Sequence, residues 1–156
     1  LEYDHVEKET IDAMIDSEIE ENPKWPGRKE KQALMASSSA GRERPKRNTK
    51  VAVDALRRAE FKCEFNKADK TFLRKNGKAY TEPHHLIPLG KYRDFDYSVD
   101  VMENVVSLCS HCHNLLHYGR LEDKKQILKK LYEERAQALG SVGLDLTFEQ
   151  LLGYYK

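Results

Sequence analysis

Glu82-Pro83-His84-His85-Leu86-Ile87-Pro88 and, further along, Glu103-Asn104-Val105-Val106-Ser107-Leu108-Cys109-Ser110-His111-Cys112-His113 are the stretches whose reading decides the fold, with His117 completing the second. Residues 81–87 and 105–108 are short, apolar and β-branched, which predicts two strands of one hairpin. Residues 112–118 predict a short helix stopped by Gly119 at the C′ position. On that helix His113 and His117 fall at i and i+4, one above the other on one face. Two imidazoles so placed can share a metal ion. The strand pair brings His84 and His85 alongside. Side chains alternate along a strand, so one of the two can face the metal while its neighbour is aimed elsewhere.

All three cysteines lie in the same region: Cys63, within Phe61-Lys62-Cys63-Glu64-Phe65-Asn66, and Cys109 and Cys112 at the end of the second strand. An odd count is unsuited to a closed disulfide framework and suits thiolates in a reducing compartment, so the expected location is cytoplasmic. No apolar run approaches the ~18 residues of a membrane span and no secretory leader pattern is present. Membrane and secreted disulfide-rich classes are excluded on this reading.

In combination these motifs resemble the HNH endonuclease family, and within it the zinc-stabilised McrA-like branch. The resemblance covers about residues 60–118 and rests on His-His-x-x-Pro, a later Asn-x-x-x-Leu-Cys-x-x-Cys-His and a last His four residues on. It implies an α+β fold, a small ββα-metal (His-Me finger) core wrapped by helices. It implies a metal-dependent endonuclease that hydrolyses DNA phosphodiester bonds in restriction or defence against foreign DNA, including viral DNA. Carried over residue by residue, His84 matches the first metal ligand, His85 the general base, and Asn104 the central Asn whose amide holds the base-bearing loop. His113 matches the closing His, a metal ligand grouped with the catalytic residues, and His117 the further ligand of the three-histidine version. Cys109 and Cys112 match half of a structural zinc site. The family's other half is usually Cys-x-x-Cys, whereas Asn66 stands three residues after Cys63. Four-coordinate zinc wants four ligands. The fourth is His111, Asp69 or a residue not identified from sequence; alternatively zinc is lost and Cys63 packs against Cys109 and Cys112.

The chemistry fits those residue types. A neutral imidazole with a pKa near ~6.5 is suited to taking a proton from water at neutral pH. A divalent ion can act as Lewis acid and template for the phosphoryl group. Imidazole ligands suit Mn²⁺, Ni²⁺ or Zn²⁺, and Mg²⁺ becomes plausible only if His117 is not a ligand.

With 156 residues, the chain has room for one domain plus extensions. Its net charge of +1 hides a polarity: residues 1–23 carry −8, residues 24–50 carry +7, and the remainder carries +2. Residues 1–23 read as an acidic amphipathic helix with Ile11, Met14, Ile15 and Ile19 on one stripe, ended by Asn22-Pro23. Residues 24–48, with their prolines and the run Ser37-Ser38-Ser39-Ala40-Gly41, read as a basic flexible linker. Residues 49–156 read as the nuclease domain, with a helix over 49–61 and C-terminal helices within 121–156. Arg42, Arg44, Lys46 and Arg47, with Lys91 and Arg93 from the loop before Asn104, are the candidate DNA contacts. DNA is the expected partner, with sequence or modification specificity assigned to a missing N-terminal region or a partner subunit. An RNA-cleaving or toxin-type nuclease and a non-catalytic zinc-dependent DNA-binding module are the alternatives. The second of these leaves the His84-His85 pair with His113 and His117 unexplained.

Overall fold

The computed structural model describes residues 3–17, 22–36 and 43–156. In chain order it contains α1 (His5–Ser17), β1 (Leu34–Ala36), β2 (Glu43–Pro45), α2 (Thr49–Arg58), β3 (Glu82–His85), β4 (Val105–Leu108), α3 (Ser110–Tyr118), α4 (Leu121–Ser141) and α5 (Phe148–Gly153). The architecture is α+β, with two separate antiparallel strand pairs among the described residues. β3 and β4 pair with His84 opposite Val106 and His85 opposite Val105. The connection between them contains 3₁₀ turns at Leu89–Asp94 and Met102–Asn104. Leu108 leads directly through Cys109 into α3, whose start is capped by the Cys109 sulfur accepting from the Cys112 N–H. Gly119 follows α3, but at φ −78° it ends the helix in extended backbone rather than in the left-handed conformation expected of a C′ glycine.

The larger apolar core lies beneath this unit. Leu86, Ile87, Val106, Leu108 and Leu116 meet Ile127, Leu128, Leu131 and Leu139 of α4 and Leu151 of α5. α4 carries its apolar residues on one face, and α5 begins with a capping box between Thr147 and Gln150. A second core joins Ile11 and Ile15 of α1 to Ala52, Val53 and Leu56 of α2, with Phe61 beyond. α1 starts with reciprocal bonds between Asp4 and Glu7. Its C-terminal carbonyls meet the buried Arg57 guanidinium, which donates to the Ile15 oxygen at 2.7 Å. Ile19 and the run Ser37–Gly41, with Arg42, lie outside the described residues.

Over its described residues the segment expected as a flexible linker is mostly exposed but makes several contacts with the rest of the chain. β1 and β2 form a short hairpin, with Met35 opposite Arg44. Trp25 lies under the Arg58 guanidinium at 3.4 Å and near Arg135 at 5.1 Å. The Gly27 N–H donates to Glu103 and the Ser98 N–H to the Glu30 carbonyl. These contacts are made chiefly by backbone groups and by guanidinium–indole stacking.

Arg135 is the largest fully buried side chain among the described residues. It donates to the Glu103 carbonyl at 2.8 Å and pairs with Glu64, whose other oxygen accepts from the Ser107 N–H. Removing one partner of a buried pair strands the other charge, so Arg135→Ala is expected to cost about 3–5 kcal/mol. Urea unfolding followed by emission of Trp25, the only tryptophan, reads this directly.

Arg47 pairs with Glu7 through two bonds, Nε to Oε2 at 2.8 Å being one. That hydrogen bonding holds the Glu7 carboxyl below the usual carboxylate range. The resulting stabilisation is therefore present above the unfolded value of ~4.3 and is lost as pH falls through the lowered folded value. The protection factors of α1 amides, corrected for intrinsic exchange, should fall over that acid range in the parent protein. In Glu7→Gln, protection should be weaker throughout and flat across the same window.

Candidate functional site

β3 presents Glu82 and His84 on one face and Pro83 and His85 on the other, as strand alternation requires. The face with His84 meets α3. One ring nitrogen from each of His84, His113 and His117 lies within 4.8 Å of the others. His113 and His117 face each other through their Nε2 atoms at 3.1 Å. His113 Nδ1 is 2.9 Å from Glu82 Oε1. A carboxylate there fixes the Nδ1–H tautomer and leaves the Nε2 lone pair aimed at the cluster. The hydrogen bond to His113, chiefly, holds Glu82 below the ordinary carboxylate range. His84 Nε2 meets the Tyr155 hydroxyl at 2.8 Å, and that hydroxyl also donates to the Leu86 carbonyl. His84 and His113 are buried while His117 is exposed, so the cluster is open on one side. Three convergent imidazoles, one backed by a carboxylate, fit a divalent transition ion with an open coordination position.

His85 stands apart from that cluster. Its Nε2 is 2.8 Å from Asp100 Oδ1, and its ring stacks near Tyr3 at 6.2 Å. With the carboxylate accepting from Nε2–H, Nδ1 is left as the basic nitrogen. Asp100 is itself held by the Asn48 N–H at 2.6 Å. His84, His85 and His117 nevertheless line one groove of about 460 Å³, together with Tyr155, Lys124 and Lys156. Asn104 is fully buried. Its side-chain oxygen accepts from the Ile87 N–H, and its amide donates to the carbonyls of Ile87 and Val99.

A second cluster lies at the far end of β4. Cys63, Cys109, Cys112 and Asp69 place their ligand atoms within 4.8 Å of one another. Asp69 Oδ2 is 3.3 Å from Cys109 Sγ and 3.6 Å from Cys112 Sγ. The Cys63 thiol is lowered to about 6, first by the Cys112 thiol donating to it and then by the Cys109, Asn66 and Phe65 N–H groups. Cys112 is pushed far up by that same bond, and Cys109 up to about 11, mainly by burial. Three sulfurs and a carboxylate in this arrangement fit a four-coordinate metal. Asp69, rather than the exposed His111, stands beside the three sulfurs.

The basic candidates scatter. Arg44 and Lys46 are exposed on and after β2, and Lys91 and Arg93 are exposed on the 3₁₀ turn, with Lys91 over the Tyr154 ring at 5.6 Å. Arg47 instead spends its guanidinium on Glu7 and on the Tyr3 ring, 4.7 Å away. Arg42 lies outside the described residues. Sequence reasoning missed Glu82, Asp100 and Tyr155. Glu82 could have been found, because it sits two residues before His84 on the same strand face. Asp100 and Tyr155 carry no local signal, since their positions depend on how the loop and the C-terminus return.

No known protein-family profile matches the chain. It is 31% identical over 86 residues, 55% of its length, to the Type IV methyl-directed restriction enzyme EcoKMcrA of Escherichia coli (strain K12). The matched part is 28% of that enzyme, so the chain spans under a third of the curated relative. The solved structure of the Type IV phosphorothioation-dependent restriction endonuclease ScoMcrA aligns with a TM-score of 0.46 at 24% identity, over 68% of this chain and 20% of that one. The chain is thus similar, over part of its length, to a restriction enzyme.

Proposed function

We propose that this chain is the nuclease part of a restriction-type enzyme, an HNH endonuclease with a ββα-metal core that hydrolyses DNA phosphodiester bonds. The observation that carries the reading is the division between His84, His113 and His117, which converge, and His85, which is turned to Asp100 yet opens on the same groove. Similarity to a methyl-directed restriction enzyme supports DNA as the substrate. His84, His113 and His117 would hold a divalent ion. Such an ion supplies Lewis-acid charge for the phosphoryl and leaving oxygens.

The chain's own groups do the rest. His85 Nδ1 takes the proton from the attacking water, while Asp100 fixes the tautomer and steadies the imidazolium that forms. Asn104 anchors the loop that follows the base. Lys124, whose ammonium donates to the Tyr155 carbonyl at 3.2 Å, brings positive charge to the groove where a phosphate would lie. Cys63, Asp69, Cys109 and Cys112 would hold a structural zinc that ties residues 63–69 to the start of α3.

Supercoiled plasmid should be nicked with Mn²⁺ or Ni²⁺ and more weakly with Mg²⁺. His85→Ala should lower the rate about 10²–10⁴-fold, and Asp100→Asn should also lower it because an amide facing Nε2 favours the wrong tautomer. Nicking at full rate by His85→Ala would remove the base assignment. Cleavage of RNA alone would favour the toxin-type reading, and binding without cutting the zinc module.

The cysteine cluster is tested separately. The protein should carry one zinc per chain that a thiol reagent releases. Cys112→Ser should lose that zinc and much of its thermal stability, and a parent protein with no bound zinc by elemental analysis would end the assignment.

A further inference from the structure

Between Asp69 of the cysteine cluster and Glu82 beside His113, the chain makes a β-turn hairpin that neither proposed metal site uses. The Tyr80 N–H donates to the Phe72 carbonyl and the Arg74 N–H to the Lys78 carbonyl, with Leu73 paired to Ala79. Gly77, at φ +87°, makes the turn. Residues 67–80 carry Lys67, Lys70, Arg74, Lys75 and Lys78 against Asp69 as the single acid. Amid that charge Phe72 is 63% and Leu73 68% exposed.

The exposed ring is backed by a second one. Phe72 stacks on Tyr80 at 4.4 Å with 16° between the planes, and the Arg74 guanidinium lies over the Tyr80 ring at 4.8 Å. Arg74 is anchored in turn by Asp12 and the Thr81 carbonyl. The Tyr80 hydroxyl donates to Glu82, whose other oxygen meets His113. Phe72, Tyr80, Glu82 and His113 line one cavity of about 310 Å³, a size in the range of small-ligand sites. The stack is thus one carboxylate away from a proposed metal ligand.

We propose that the Phe72–Tyr80 stack is a platform for an unpaired nucleobase of the nucleic acid being cut, with Lys70, Lys75 and Lys78 on the adjoining phosphates. This rests on the nuclease reading and adds to it a contact that distinguishes unstacked from paired DNA. A flat ring with lysines interleaved around it complements a base and its phosphate backbone. A second copy of the chain would set two basic hairpins against each other, which charge opposes.

The test uses the full chain in the His85→Ala background, so that the probe stays intact. Two short duplexes are compared, one with a single unpaired 2-aminopurine and one fully paired. The unpaired probe should bind more tightly, with its emission quenched. Phe72→Ala should weaken its binding roughly 5-fold or more and abolish the quenching, while Phe72→Tyr retains both. Lys75→Ala with Lys78→Ala should weaken both probes alike and flatten the salt dependence. Unchanged Trp25 emission shows that the fold is intact. Equal binding and quenching in Phe72→Ala overturns the platform and leaves the nuclease reading standing. A His85→Ala protein that binds neither probe overturns both. Self-association lost in Phe72→Ala while probe binding persists assigns the patch to a dimer and overturns the platform.

Discussion

The Asn104 amide is the constraint on which the site depends. Its two N–H groups and its carbonyl oxygen are all used, on Ile87 and Val99, in a position with no exposure to water. Its backbone oxygen also accepts from Leu86. The residue leaving β3 and the residue entering β4 are thus clamped together across the long connection between them. Each buried group left unpaired by its removal would cost about 1–3 kcal/mol, so the amide cannot be replaced by an apolar side chain of similar shape without reorganising the loop. Holding the Val99 carbonyl also delivers the next residue, Asp100, to His85. One buried side chain therefore sets the strand register, the loop path and the orientation of the proposed base.

Around that clamp the same device appears twice with different results. His113 and His85 each have a carboxylate on one ring nitrogen, Glu82 for the first and Asp100 for the second. In both, the carboxylate selects the tautomer and leaves the opposite nitrogen with a lone pair. For His113 that lone pair points into the three-histidine cluster. For His85 it stays outside the cluster, and the proposed role is to receive a proton. Strand alternation makes the difference possible: adjacent residues on β3 cannot both face α3.

What could be read from the sequence follows from which signals are local. The two strands, the helix after Cys109 and the convergence of His84, His113 and His117 are set by spacing and alternation. Residues 105–108 form β4 as expected, and α4 covers the expected apolar stretch, extended to Ser141. Asp69 was one of several alternatives that spacing could not separate, because the loop from Cys63 must turn back before it reaches the sulfurs. The 72–80 hairpin was missed although Asn76-Gly77 is a recognised turn pair; its lysines obscured the strands. The contacts made by residues 24–33 carry no local signal for a different reason. Their partners, Arg58, Ser98, Glu103 and Arg135, are distant in sequence and contribute polar groups rather than a periodic apolar stripe.

Charge shows how far a linear reading can mislead about an interface. The acidic N-terminal segment and the basic segment that follows look like two opposed tails, the second available to phosphate. In the fold, α1 turns its acids onto bases: Glu7 onto Arg47, and Asp12 onto Arg74. Those pairs are partly shielded from water, so the charges are committed to holding α1 rather than to a partner. The cations that line the groove with His84, His85 and His117 come from elsewhere, Lys124 of α4 and the C-terminal Lys156, while Lys91 and Arg93 on the turn after β3 and Lys70, Lys75 and Lys78 on the hairpin before it are exposed. Positive charge therefore lines the groove of the proposed reaction centre although the chain as a whole is almost neutral.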